Sequence, residues 1–328
     1  MADVNGRSQR RLFSAVDRAS SFMLYILVAG FPAKENEVTI AMAQNYALVT
    51  ESSSDLGIRT AEEWGIEMIR MPFLFTDDGK GKLDLDEPLK TFYDEMRNGR
   101  VAKTSSVNES TYVQVFTRLL EEGRDILYLG FSSGLSVTCE TGRKIAESLR
   151  EKYPERKIRC IDSLAASAGQ GLFVYLAKEN RDRGLSLDEN ADLLEKEVLH
   201  VCHWFTVEEL KYLKRGGRIS AATALLGTAL NVKPVLHVDD EGHLIKVSQT
   251  HGRKKSIKKM AEALGETIRP ESPIMISHAD CLEDAEYLKR ILKEDYGREV
   301  TLITEIGSVI GAHSGPGTLA LFFMGSHR

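Results

Sequence analysis

Apolar residues along the chain follow two spacings. Short, nearly continuous runs punctuate longer stretches in which apolar positions return every third or fourth residue. The runs read as strands and the stretches as amphipathic helices. Residues 46–50 form a short apolar strand, followed by a Ser-rich turn and a helix near Thr60. Residues 66–75 are a second extended run, and 88–98 and 109–121 carry helical spacing. The run 125–131 (DILYLGF) is apolar almost throughout, as in a strand buried on both faces of a parallel sheet. A helix through Ser148, a strand at 157–161 and helices at about 163–181 and 187–199 complete this part. The repeated strand–turn–helix order predicts parallel β/α units with right-handed crossovers.

The pattern changes after about residue 203. Two extended runs, 232–238 and 243–249, flank Asp239-Asp240-Glu241-Gly242 and read as a hairpin. A basic helix, a strand at 273–277, another helix, a strand at 300–306 and a last strand at 318–323 follow. The chain is therefore expected to be α/β with two domains: a parallel β/α domain over 46–203 and a mixed α/β domain over 204–328. Its length of 328 residues agrees, since about 150 residues per domain gives two.

Residues 1–45 read as an extension. Arg7, Arg10, Arg11 and Arg18 precede an apolar run from Phe22 to Gly30 that Pro32 breaks. The run is far shorter than the roughly 20 residues a membrane-crossing helix needs. Ala41-Met42-Ala43 offers a small-x-small cleavage site, but Lys34, Glu35 and Glu37 intervene where such a region should carry little charge. A helix packing on the body is expected instead.

Composition narrows the function. With 42% hydrophobic and 28% charged residues the chain is an ordinary globular protein, not a fibrous or disordered one. A net charge of −5 offers no global basic field to nucleic acid, although one site can be locally positive on an acidic protein. Cys139, Cys160, Cys202 and Cys281 lie far apart without a Cys-x-x-Cys pair. That spacing argues against a disulfide-stapled domain or zinc ribbon and for a reducing, cytoplasmic setting.

Candidate chemistry gathers where strands end, because loops and helix N-termini present free N–H groups there. Three hydroxyl-rich segments occupy such places: Ser52-Ser53-Ser54-Asp55, Thr104-Ser105-Ser106, and Ser132-Ser133-Gly134-Leu135-Ser136. Hydroxyls with backbone donors can hold a carboxylate or phosphate; each segment can equally cap a helix. Gly130-Phe131-Ser132-Ser133-Gly134 also fits the Gly-x-Ser-x-Gly elbow of serine hydrolases. Asp162, Asp239 or Asp280 followed by His313 would complete the required chain order. Lys214-Arg215-Gly216-Gly217-Arg218 can present a guanidinium to an anion or end a helix. His251-Gly252-Arg253-Lys254-Lys255 is a basic cluster, a solvated face or an acidic partner's contact. Residues 307–317, between two expected strands, read as a Gly-rich loop carrying His313. No nucleotide-binding signature occurs. His200-x-x-His203 and His278-x-Asp280 lack a full ligand set, so no metal is expected.

Taken in order, TESSSDL (50–56), KTSSVN (103–108), SSGLSVT (132–138), IDSLAASAGQG (161–171), YLKRGGRISAA (212–222), NVKPVLHVDDEGHL (231–244), HGRKK (251–255), SHADC (277–281) and EIGSVIGAHSGPG (305–317) resemble the DegV family. The resemblance spans about residues 46–323. It implies two α/β domains around an elongated apolar pocket for one long-chain fatty acid, with no other cofactor and no nucleic-acid partner. It also implies a non-catalytic role in phospholipid metabolism: the acyl carboxylate is presented to a separate ATP-dependent fatty acid kinase subunit, with transient contact at a membrane surface. By resemblance Thr104 and Ser132, with Ser105 and Ser133 beside them, hold the carboxylate. Arg218, Arg253 and His313 match residues at the pocket mouth, near the phosphorylated head group or the kinase. The alternatives are the serine hydrolase, or a DegV-like carrier of another amphiphile without a kinase. Two positions depart from the family pattern: Glu51 stands where Asp is usual, and Val137 where Gly is usual.

Overall fold

A computed structural model describes residues 46–220 and 231–328; the expected N-terminal helix over 1–45 lies outside them. The first part of the described chain supplies β1 (Tyr46–Glu51), β2 (Ile66–Ile69), β3 (Pro72–Phe75), β4 (Gly81–Leu83), β5 (Ala102–Thr104), β6 (Asp125–Gly130) and β7 (Ile158–Asp162). The second supplies β8 (Val201–Thr206), β9 (Val232–Val238), β10 (Leu244–His251), β11 (Ile274–His278), β12 (Leu302–Glu305) and β13 (Leu319–Met324).

The expected parallel sheet is present, in the order β2-β1-β6-β7 with every pairing parallel. Its central strands are apolar on both faces because both faces are covered. Tyr46, Leu48, Leu127 and Leu129 enter one core with Leu172 and Phe173 of the helix Ala168–Asp182. Ala47, Val49, Ile126 and Tyr128 enter another with Tyr112, Phe116 and Leu149 from the helices Glu109–Glu121 and Thr138–Lys152. The period-two alternation of a strand thus sorts one apolar run into two cores. Burying each such side chain stabilises the fold by about 1.5–3 kcal/mol.

The second sheet is mixed, in the order β10-β9-β8-β13-β11-β12, with only β11–β12 parallel. Leu319, Leu321 and Phe323 of β13 face the helices Arg253–Thr267 and Leu282–Tyr296. Ala320, Phe322 and Met324 face the opposite way, into the core that holds the helix Ala168–Asp182. That helix is therefore packed between the two sheets.

Four sequence expectations need amendment. Residues 66–75 are two strands in different sheets, divided at Arg70–Met71. β3 joins β4 and β5 in an antiparallel three-stranded sheet that the parallel pattern did not foresee. It is supported by the helix Leu89–Arg97, whose Phe92 meets Phe73 edge-on at 5.4 Å. β8 was not anticipated, and the expected boundary at 203–204 falls inside it. Finally, residues 307–317 are not simply a loop: Ser308–Ser314 is helical. Buried carboxylates receive its first N–H groups. The Gly307 N–H donates to Asp55 Oδ1 at 2.9 Å and the Ser308 N–H to Asp84 Oδ1 at 2.7 Å. Gly311 lets this helix approach Tyr93, since a Cβ there would lie 2.4 Å from the phenol oxygen.

Candidate functional site

The site forms where three chain segments meet between the sheets. β5 ends at Thr104 and delivers Ser105 and Ser106; the turn after β6 delivers Phe131, Leu135 and Ser136; the helix Ser308–Ser314 delivers His313. They border a cavity of about 880 Å³, its open mouth included. One end is polar, with Thr104, Ser105, Ser136, Arg218 and His313; the walls beyond are mainly apolar, with Phe131, Phe205, Leu213, Val238, Leu244 and Phe322, but include His203 and Ser167.

His313 and Thr104 are joined directly, Oγ1 to Nε2 at 2.7 Å. Burial, and secondarily the Arg218 charge, pushes His313 down to about 4, so the ring is neutral at physiological pH. Gly216 makes room for it, because a Cβ there would come within 2.2 Å of Nδ1. Arg218 is half-buried. Its Nε and Nη2 donate to the Leu135 carbonyl at 3.2 and 3.0 Å, and Nη1 donates to the Gly216 carbonyl. Burial lowers its pKa, yet a guanidinium stays charged. Among the described residues no carboxylate pairs with it. Among the described residues the polar end thus carries a positive charge without a carboxylate partner, beside neutral hydroxyls.

Not every expected residue lies here. Thr104, Ser105, Arg218 and His313 share the cavity; Ser132, Ser133 and Arg253 do not line it. Ser132 is fully buried. Its hydroxyl donates to the Gly242 carbonyl at 2.9 Å and accepts from the Gly134 N–H at 3.2 Å. The tip of the β9–β10 hairpin therefore sits on the serine turn. Ser133 is exposed, its N–H 3.3 Å from Asp162 Oδ1. Arg253 opens the helix Arg253–Thr267, donating to Asp284 Oδ2 at 2.8 Å and to the Gly317 carbonyl at 2.7 Å. The hydrolase constellation is not assembled, since Ser132 gives its proton to a carbonyl and the partner of His313 Nε2 is Thr104.

The two departures from the family pattern are accommodated. Val137 precedes the helix Thr138–Lys152 at φ −75°, a conformation any residue adopts, and its side chain is exposed. Glu51 is fully buried and accepts four hydrogen bonds. Tyr112 and Tyr128 donate to Oε1, while the Phe131 N–H and the Gln170 amide donate to Oε2 at 3.1 and 2.9 Å. Burial raises its pKa against the pull of these donors. Glu51 thereby anchors Phe131, a cavity wall.

The sequence singles out one lining residue, His203, only as a possible metal ligand. Its position within the apolar run of β8, on the face opposite Trp204, was the signal that could have placed it.

Residues 45–326 match the family described as "Uncharacterised protein, DegV family". A DegV domain-containing protein of Clostridium perfringens is 40% identical over 290 residues, covering 87% of this chain and 99% of that protein. The structure is similar to a DegV family protein of Thermus thermophilus described as binding fatty acid, with a TM-score of 0.76 and 29% identity over 86% of this chain and 99% of that one. It is also similar to DegV of Bacillus subtilis, described as a fatty acid binding protein, with a TM-score of 0.73 and 26% identity over the same shares. With a match across all three sheets and every segment of the cavity, the chain belongs to the DegV family.

Proposed function

We propose that this chain binds one long-chain fatty acid, its tail in the apolar cavity and its carboxylate at the polar end. The observation that carries the proposal is Arg218, a half-buried cation without a carboxylate partner among the described residues, at the mouth of an apolar cavity. Such a cation calls for an anion, and the apolar walls call for a chain. Affinity then comes mainly from the tail, at about 0.8 kcal/mol per buried CH₂. The head group needs orientation, which Thr104 and Ser105 supply through hydroxyls. Ser132, with Ser133 beside it, joins them only when Gly242 releases its hydroxyl. The Thermus and Bacillus relatives described as fatty acid binding support the same class of ligand.

We further propose that the bound carboxylate is presented to a separate ATP-dependent kinase subunit. Arg253 sits outside the cavity yet holds Gly317, in the loop after the His313 helix, and Lys254 and Lys255 beside it are exposed. This is a basic surface at the correct end.

Native mass spectrometry of the gently purified chain tests ligand class, and a fatty acid mass is expected. In titrations, Thr104→Val should weaken binding by about 0.5–1.5 kcal/mol and Arg218→Gln by about 1.5–3 kcal/mol. Equal affinity in all three proteins would remove the carboxylate from this end. Acyl phosphate should form only when a kinase subunit and ATP are added.

A further inference from the structure

We propose that the cavity accepts an acyl chain bearing a hydroxyl within the chain, and that His203 recognises that hydroxyl. This rests on the fatty-acid proposal and narrows its ligand class. His203 stands in β8 opposite Phe322 of β13 and lines the same cavity as Arg218 and His313. It is only 1% exposed. Its surroundings are apolar: Val201, Phe205, Ala320 and Phe322 belong to the core on this face. The Phe322 ring meets it edge-on, centroids 5.6 Å apart.

Among the described residues neither ring nitrogen has a hydrogen-bond partner. The Val201 backbone only weakly favours the protonated ring, and no hydrogen bond of good geometry joins them. A leucine or phenylalanine would fill this place without desolvating two polar atoms, so the imidazole is costly unless something pairs with it. Gly169 gives it space, because a Cβ there would lie 2.4 Å from Nε2.

The chemistry selects the partner. Burial, with Arg328 and His237 contributing, pushes the ring well below its ordinary value and keeps it neutral. A neutral imidazole has one donor and one acceptor, which suits a hydroxyl that both donates and accepts. A carboxylate, which only accepts, could pair only with the nitrogen that carries the proton, whereas a hydroxyl pairs with whichever nitrogen faces the cavity. Position agrees. Thr318 hydrogen-bonds the Ser314 carbonyl beside His313 and marks the head end. Phe322, opposite His203, stands four residues further along β13, about 13 Å away. The group that His203 meets therefore belongs to the chain and not to the head.

The test measures dissociation constants of the full chain for stearic acid and a positional series of its monohydroxy isomers. Wild type, His203→Leu and His203→Gln are compared. In wild type one in-chain isomer should bind about five- to tenfold tighter than stearic acid. In His203→Leu that ratio should fall to one or below. In His203→Gln, whose amide also donates and accepts, most of it should return. The ratio is taken within each protein, so a general weakening leaves it readable, and His203→Phe, which also lacks a donor and an acceptor, serves if the Leu variant does not fold. Stearic acid bound as well as or better than every isomer by wild type overturns the assignment. An isomer preference unchanged in both variants overturns it too. Failure of stearic acid and all isomers to bind overturns the fatty-acid proposal as well.

Discussion

Lowering the pH should weaken this fold, and one identifiable share of the loss belongs to the His313 imidazole. In the unfolded chain a histidine takes its proton near pH 6.5, whereas burial and Arg218 hold His313 down to about 4 in the folded protein. Between those values the unfolded chain binds more protons than the folded one. Stability from this group is therefore complete above about pH 6.5 and declines as pH falls toward 4. At about 1.4 kcal/mol per pH unit, the loss is about 2 kcal/mol at pH 5 and about 3 kcal/mol at pH 4. Glu51, Asp55 and Asp84 act in the opposite direction. Their folded values are raised by burial, so their contribution is largest at low pH and is lost as pH rises through those folded values.

The raw profile mixes these groups, and a difference separates them. His313→Gln keeps a polar side chain beside Thr104 but cannot titrate. Urea unfolding of wild type and His313→Gln at steps between pH 7.5 and pH 4 should show wild type losing about 2 kcal/mol relative to the variant by pH 5. The carboxyls, and the buried His203, His237 and His278, are common to both proteins and cancel. Parallel stability curves would refute the claim that His313 is held neutral by its surroundings.

Further outcomes follow from the same geometry. Saturation with fatty acid should raise the His313 pKa from about 4 toward its ordinary value, because a carboxylate favours the charged ring; histidine NMR signals followed through a pH titration read this directly, and an unmoved value would place the head group elsewhere. Gly242→Ala puts a methyl 2.2 Å from Ser132 Oγ at a φ of +81°, and a loss of about 1–3 kcal/mol in thermal unfolding is expected from the overpacking. Glu51→Ala leaves the Phe131 N–H without its acceptor and takes the carboxylate from the two tyrosines and Gln170, of which Tyr112 keeps the Thr138 carbonyl and Gln170 keeps Thr50 and Leu129. A loss of about 1–3 kcal/mol in denaturant unfolding should follow.

The parts of the fold legible in sequence were those where one element decides its own pattern. The run 125–131 could only be a doubly buried strand, and the turn Asp239–Gly242 marks its hairpin through local chemistry. The parts that were not legible depend on distant partners. The helix Ser308–Ser314 is flanked by Gly307 and Gly315, and the N–H groups at its start are received by Asp55 and Asp84, more than 200 positions away. Nothing local announces it. Of the site, Thr104, Arg218 and His313 stand out as a hydroxyl, a cation and an imidazole in loop-like segments, and the family resemblance assigns the last two to the pocket mouth. That Ser132 would turn to Gly242 instead of the cavity was invisible, because it depends on how the hairpin tip docks.

The placement of that helix shows what the fold gives up for its site. Asp55 and Asp84 are both buried, and burial raises both carboxyls, with Asp84 further raising Asp55. Among the described residues neither carries a salt bridge to a cation. A core built only for stability would not keep two acids so close. Their oxygens instead meet the Gly307 and Ser308 N–H groups, which fixes the start of a helix of only seven residues whose sixth residue is His313. A helix that short has little stability of its own, so its position must be imposed from outside. The strained electrostatics lie behind the cavity and the binding geometry lies in front of it. This is the pattern expected where local consistency is sacrificed for function.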